Sequence, residues 1–171
     1  STIASKVFET EEACKNGAVE VDMVINIGKA LQGDWDYVEK EIDAVTKTCH
    51  KHGAIVKVIF ETDFVTKEAD IIKLCQICTK VKADFVKTST GYGFVKGADG
   101  KYDYQGATIS NIKLMRHHCG AEVKVKAAGG VRTLEQLIAV REAGCDRCGA
   151  SATAAIMEEA EKRRLRKIEE D

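Results

Sequence analysis

Three lysines interrupt apolar, β-rich runs of this 171-residue chain: Lys57 in AIVKVIFET, Lys87 in DFVKTST and Lys126 in EVKVKAAGG. A carboxylate, Asp22, does the same in EVDMVIN. A strand exposes alternate residues to opposite faces, so Glu20, Asp22, Val24 and Asn26 fall on one face of the first run. Lys57, Ile59 and Glu61 share a face of the second, Phe85, Lys87 and Ser89 of the third, and Glu122, Lys124 and Lys126 of the fourth. Turning these sets toward a helix layer would bury charge against aliphatic side chains, which is costly. An inner, site-forming face is the cheaper solution. One such lysine is most simply a packed or snorkelling residue. Several together beside a carboxylate suggest chemistry. Neighbouring ammoniums and desolvation both disfavour the charged form, and a lysine lowered by about three pKa units from its ordinary ~10.4 is half neutral at pH 7. A neutral amine is a nucleophile toward carbonyl carbon. Lys87 is the candidate Schiff-base residue, and Lys126 the neighbour that tunes it.

These residues need a scaffold that repeats. Strand-like pieces cover 20–26, 54–62, 84–90, 122–130 and 145–151, the last weakest by propensity. Helical patterns separate them. In 34–53, Tyr37, Val38, Ile42, Val45 and Cys49 recur near the 3.6 period and Gly53 takes the C′ place. The stretch 66–81 offers Thr66 as N-cap. Stretches 108–120 and 133–144 close on Gly120 and Gly144, and Thr133 with Gln136 forms a capping-box pattern. A leading helix runs from about Ser5 to Asn16. Strands alternating with helices predict a parallel sheet covered by helices with right-handed crossovers. That is either an open doubly wound sheet or part of a (β/α)8 barrel. GYGFVKG only superficially resembles a dinucleotide-binding loop, because a Gly-Ala-Asp-Gly turn follows instead of a helix.

The glycine-rich stretches AAGGVRT (127–133) and CGASAT (148–153) each leave a strand and enter a helix. Small residues let backbone N–H groups approach an anion, and helix N-termini add positive potential. Tight turns require glycine for geometry as well.

Composition excludes other classes. Twenty-six basic and 27 acidic residues nearly cancel, so a general grip on nucleic acid or an anionic membrane is not expected. No apolar run reaches the ~20 residues of a membrane-spanning helix. Seven cysteines, an odd number, fit reduced thiols in a cytoplasmic setting better than a disulfide framework. The Cys75/Cys78 and Cys145/Cys148 pairs have metal-site spacing, but IIKLCQICTKV reads as a helix whose cysteines fill an apolar stripe. No metal and no cofactor is expected. His50, His52, His117 and His118 fall near helix C-termini, where the dipole favours imidazolium, and receive no catalytic role.

In the order EVDMVINIG, KVIFET, ADFVKTSTG, VKAAGGVRT and GAS, the chain resembles the deoxyribose-phosphate aldolases, class I enzymes built on a (β/α)8 TIM barrel. The resemblance spans nearly the whole chain. It implies an α/β fold in which about five βα units, the fourth to the eighth, are present. It assigns Lys87 as Schiff base, with Asp22 and Lys126 as proton donor/acceptors. Gly91, Gly129, Gly130, Gly149 and Ser151 become the substrate-phosphate contacts. The implied reaction is reversible cleavage of 2-deoxy-D-ribose 5-phosphate to D-glyceraldehyde 3-phosphate and acetaldehyde. The implied partner is a phosphorylated sugar, and the implied assembly a homo-oligomer, a dimer.

The sequence also departs from the family pattern. The chain starts at Ser1 and contains no proline, and the strands that would come before are missing, so residues 1–171 are expected to be one barrel domain that is N-terminally incomplete. Tyr92 stands where some relatives carry a lysine. Residues 92–105 exceed a usual βα loop and suggest a small hairpin, either decoration or lid. The end, EEAEKRRLRKIEED, reads as a solvated mixed-charge helix. Two alternatives stand beside the lead reading: a Schiff-base aldolase for another phosphorylated aldehyde, and an inactive barrel fragment acting as an interaction module.

Overall fold

The computed structural model describes residues 1–170. Helix α1 (Ile3–Lys15) leads into strand β1 (Glu20–Val24), the short helix α2 (Ile27–Leu31) and the long helix α3 (Trp35–Lys51). Then come β2 (Ile55–Ile59), α4 (Glu68–Lys80) and β3 (Phe85–Lys87). An antiparallel hairpin, β4 (Val95–Lys96) and β5 (Tyr102–Asp103), intervenes before α5 (Ile109–His118), β6 (Lys124–Ala128), α6 (Leu134–Glu142), β7 (Arg147–Gly149) and α7 (Thr153–Glu170). The five main strands form one parallel sheet in the order β1-β2-β3-β6-β7, the layout expected of consecutive barrel units.

Alternation decides what each face does. The register aligns Met23, Val58, Val86 and Val125 in one row, all of them buried among the helices. The opposite face carries two rows. One is Asp22, Lys57, Phe85 and Lys124; the other is Val24, Ile59, Lys87, Lys126 and Arg147. The expected partition of charge and aliphatic side chains is therefore present. Glu122 does not share it: it lies in the turn before β6 and is exposed.

Each helix meets the sheet through a stripe its sequence sets. Val38, Ile42, Val45 and Cys49 are fully buried along α3, whose Asp34 side chain accepts from Tyr37 N. The Thr133–Gln136 capping box opens α6 as expected. Thr66 does not cap α4; the N-cap is Lys67, with no side-chain bond. The chain leaves β2 through the buried Val65, and Thr66 sits one residue too early to reach the first free amides. Gly144 closes α6 with φ +108°. Gly120 has another purpose: a Cβ there would meet Thr79 Cγ2 at 2.7 Å, so it lets α5 and α4 approach.

Two aspartates pin the register from beneath. Asp84, just before β3, accepts from Val56 N of β2 at 2.9 Å. Asp146, just before β7, accepts from Val125 N of β6 at 2.8 Å. Each satisfies an amide on the strand next door.

Among the described residues β1 pairs only with β2 and β7 only with β6, so the sheet is open. Arg147 nevertheless reaches from β7 to β1 across the charged face and donates through Nη1 to both carboxylate oxygens of Glu20, at 2.9 and 2.8 Å. No described helix is long and apolar enough to cross a membrane.

The open side of β1 is held by Glu41 of α3, which has no exposed surface. Its Oε2 accepts from Asn26 N at 2.8 Å, and Lys6 Nζ of α1 lies 2.6 Å from its Oε1. Lys6 also donates to Val24 O at 2.5 Å. One buried ion pair thus ties two helices to the end of the strand that carries Asp22. Replacing Lys6 by Met strands the Glu41 charge, and breaking a buried pair costs about 3–5 kcal/mol. Urea unfolding of Lys6→Met should show a loss of that size, with the double variant Lys6→Met/Glu41→Met recovering much of it.

Candidate active site

Lys87 closes β3 and turns its amine toward β1, where Nζ donates to Asp22 Oδ2 at 2.8 Å. Lys57, one strand nearer, holds the other oxygen: its Nζ lies 3.0 Å from Asp22 Oδ1 and 2.9 Å from Glu20 Oε2. Both ammoniums are buried. Burial pushes the Asp22 carboxyl up, but the hydrogen bonds from Lys87 and Lys57 outweigh it and hold the group below the usual carboxylate range. Burial likewise pulls Lys57 down, and Glu20 and Asp22 more than restore it, leaving it above the ordinary lysine value. Lys57 in turn, followed by Arg147, keeps Glu20 low. The result is a chain of alternating charges, Arg147–Glu20–Lys57–Asp22–Lys87, laid across four strands.

Lys126 stands outside this chain of pairs. It is the register partner of Lys87 on the same face, and adjacent strands run ~4.8 Å apart. No hydrogen bond or ion pair engages its amine among the described residues. Burial first, and the Lys87 charge second, hold it below the ordinary lysine range. Reading the sequence assigned the lowered amine to Lys87 with Lys126 as its tuner. The structure puts the uncompensated cation at Lys126 and gives Lys87 a carboxylate partner.

A cavity of about 440 Å³ opens beside the two lysines. Besides Lys87 and Lys126 it is lined by Gly91, Gly129, Gly130, Gly149 and Ser151, so the candidate phosphate contacts share one space with both amines. Gly129 and Gly130 adopt φ +84° and +78°, a conformation a side chain would strain. They run toward the capped N-terminus of α6, a geometry suited to an anion. Gly149 leaves room for the neighbouring amine stem, since a Cβ there would lie 3.5 Å from Lys126 Cε. Asp22 lines a different hollow, of about 590 Å³, on the open side of β1. It touches Lys87 from behind.

Several residues that shape the site carry no motif of their own. Glu61 lies past the end of β2 at φ +56°, buried, with Oε2 accepting from Thr90 Oγ1 at 2.6 Å and Oε1 from Thr90 N at 3.2 Å. It fixes the turn after Lys87. Thr88 bridges β3 to β6, donating to Ala128 O at 2.9 Å and accepting from Ala128 N at 3.0 Å. Phe94 and Tyr104 add two aromatic rings to the cavity wall. Glu20 and Arg147 complete the charge chain; alternation placed Glu20 on the inner face, and nothing in the sequence pointed to Arg147.

The cysteines lie elsewhere. Burial pushes the Cys49 thiol up to about 12 and the Cys145 thiol up to about 11, so both stay protonated and unreactive. No cluster of three or more metal-ligating side chains occurs among the described residues.

Residues 1–158 match a family model described as DeoC/LacD family aldolase. The chain belongs to this aldolase family. It is 48% identical over 161 residues to a deoxyribose-phosphate aldolase of Rhodopirellula baltica, covering 94% of this chain and 62% of that one. With a Thermococcus gammatolerans deoxyribose-phosphate aldolase it shares 48% over 153 residues, 90% of this chain and 63% of the relative. The solved structure of QR15, an aldolase, superposes with a TM-score of 0.82 at 36% identity, over 96% of this chain and 69% of that one. The fold is thus α/β of TIM-barrel type, and this aldolase-family chain spans about 62% of the length of the first of these relatives.

The charge chain has a measurable consequence. A carboxyl lowered on folding stabilises the fold above its unfolded pKa, near 3.9, and that contribution is lost as pH falls through the folded value. Lys57→Met removes one of Asp22's two donors and keeps its burial. The Asp22 carboxyl, followed by carbon-13 NMR titration, should then move up from its position in the parent protein.

Proposed function

We propose that this chain carries the catalytic strands of a class I aldolase that cleaves 2-deoxy-D-ribose 5-phosphate reversibly to D-glyceraldehyde 3-phosphate and acetaldehyde. The observation that carries the reading is the placement of Lys87 and Lys126 side by side on one face, in a single cavity with the glycine turns. Kinship at 48% identity to proteins named for this activity supports the choice of substrate.

In this reading Lys87 attacks the C1 aldehyde of the sugar, and loss of water gives a protonated imine. The C3 hydroxyl loses its proton and the C2–C3 bond breaks. Its electrons flow into the imine to give an enamine, and glyceraldehyde 3-phosphate departs. Protonation of the enamine carbon and hydrolysis then release acetaldehyde and restore Lys87. The protonated imine is the electron sink, so the scheme calls for no metal or cofactor.

Protons move through Lys126 and Asp22. Lys126, held below the ordinary lysine range by burial and by the charge of Lys87, gives up its proton more readily than a free lysine. Asp22, ion-paired and low, orients Lys87 Nζ and passes protons through water. Gly91, Gly129, Gly130, Gly149 and Ser151 would receive the phosphate through backbone amides and a hydroxyl. Seven free thiols support a cytoplasmic setting for this single domain. A homo-oligomer, a dimer, belongs to the same reading and is measurable by light scattering.

Borohydride reduction in the presence of acetaldehyde should fix a two-carbon adduct on Lys87, read by peptide mass, and Lys87→Arg should abolish it. A folded protein that yields no adduct would count for the inert interaction module. Separately, kcat/KM should rise with pH through the lowered Lys126 value. Lys126→Leu should remove that limb and cut the rate by about 10²-fold or more, the usual worth of a general acid–base group. A parental pH profile in that variant would remove Lys126 from the proton path.

A further inference from the structure

The segment between β3 and α5 is long for a βα connection, and its hairpin is anchored at both roots. At the first root Thr90 is fixed by Glu61, and Gly93 packs so closely that a Cβ would meet Glu61 Cδ at 2.7 Å. At the second, Asp63 accepts from Gln105 N at 2.5 Å and from Gly106 N at 3.0 Å. Gly106 then lies backbone to backbone on Gly129: a Cβ on Gly106 would meet Gly129 C at 2.6 Å, and Ala107 N donates to Gly129 O at 3.0 Å. The hairpin thus stands as a wall tied at both roots to the turns after β2 and β6.

Phe94 and Tyr104 project from that wall and meet edge to face, ring centres 5.3 Å apart at 84°. Both line the cavity that holds Lys87 and Lys126. Tyr104 also lines a second hollow of about 680 Å³ on the far side of the hairpin, between Thr62, Asp63, Thr66 and the hairpin strands. Tyr104 therefore lines both spaces. On the near side, the distance from the amines to the Gly129–Gly130 turn is what a carbon chain joining an aldehyde to an anion must span. An aromatic face accepts the C–H edges of a short hydroxylated chain.

We propose that Tyr104, backed by Phe94, is a specificity-determining residue that limits the acceptor aldehyde to a short carbon chain by separating the reactive cavity from the hollow behind the hairpin. The proposal rests on the Schiff-base reading above. Removing the ring joins the two spaces and gives a longer, more apolar chain somewhere to lie.

The experiment runs the reaction in the direction of carbon–carbon bond formation, with acetaldehyde as donor and either D-glyceraldehyde 3-phosphate or hexanal as acceptor. In Tyr104→Ala the ratio of kcat/KM for hexanal over the phosphorylated acceptor should rise about tenfold or more, the scale on which apolar pocket volume discriminates substrates. Tyr104→Phe, which keeps the ring, and Lys96→Ala, on the exposed hairpin strand, should keep the parental ratio. If Tyr104→Ala fails to fold, Tyr104→Leu should shift the ratio in the same direction by a smaller factor. A parental ratio in a folded Tyr104→Ala or Tyr104→Leu protein that still traps acetaldehyde on Lys87 overturns the partition. Equal shifts in Tyr104→Phe overturn it too, by assigning the effect to the hydroxyl. Absence of trapping in the parent protein instead overturns the Schiff-base reading itself.

Discussion

A single carboxylate, Asp22, is shared by two buried ammoniums, and the inner face of the sheet is arranged around that fact. Charges taken out of water are tolerable only when opposite charges and hydrogen bonds replace the lost solvent. Here each ion answers its neighbour, from Arg147 through Glu20 and Lys57 to Asp22 and Lys87. The geometry that permits this is elementary: parallel strands in fixed register, with every second side chain on the same side. A slip of one residue in β2 would send Lys57 into the helix layer and bring Val56 or Val58 inward. Asp84, by holding Val56 N, guards against that slip.

Against this background Lys126 is the exception. It is half-buried beside another cation and has no ion-pair partner among the described residues, so its charged form is disfavoured, whereas those of Glu20, Asp22 and Lys57 are favoured. A lysine whose folded value lies below its unfolded one opposes folding while it stays charged, and that opposition is relieved as pH rises through the folded value toward the unfolded one. The site therefore keeps one destabilising element. The fully buried valines and isoleucines of the outer layer offset it, and the glycine turns and capped α6 concentrate positive potential on the same cavity. Such unfavourable local choices belong where a protein acts.

Much of this was legible in the residues. The period-two alternation around Asp22, Lys57, Lys87 and Lys126 placed all four on the inner face, and Thr133 with Gln136 announced the start of α6. The hairpin was written in Gly-Ala-Asp-Gly flanked by aromatic residues. What escaped had two causes. Some roles depend on partners remote in sequence: Arg147 meets Glu20 across 127 residues, and nothing local marks that pairing. Others depend on backbone conformation that residue type conceals. Glu61 adopts φ +56°, a region few glutamates visit, and Thr66 looks like a cap but precedes the N-cap, Lys67, by one position. That Lys126 lacks the carboxylate partner Lys87 has escaped for the first reason. Sequence shows two lysines on adjacent strands but not which of them owns the carboxylate.

The contact between Gly106 and Gly129 carries a lesson for redesign. Two peptide planes meet there with no side chain between them, so the hairpin and the turn after β6 behave as one welded part. A chimera that imports residues 92–105 into another barrel must bring glycine at both positions, and Asp63 with them, or the grafted ribbon will have no seat.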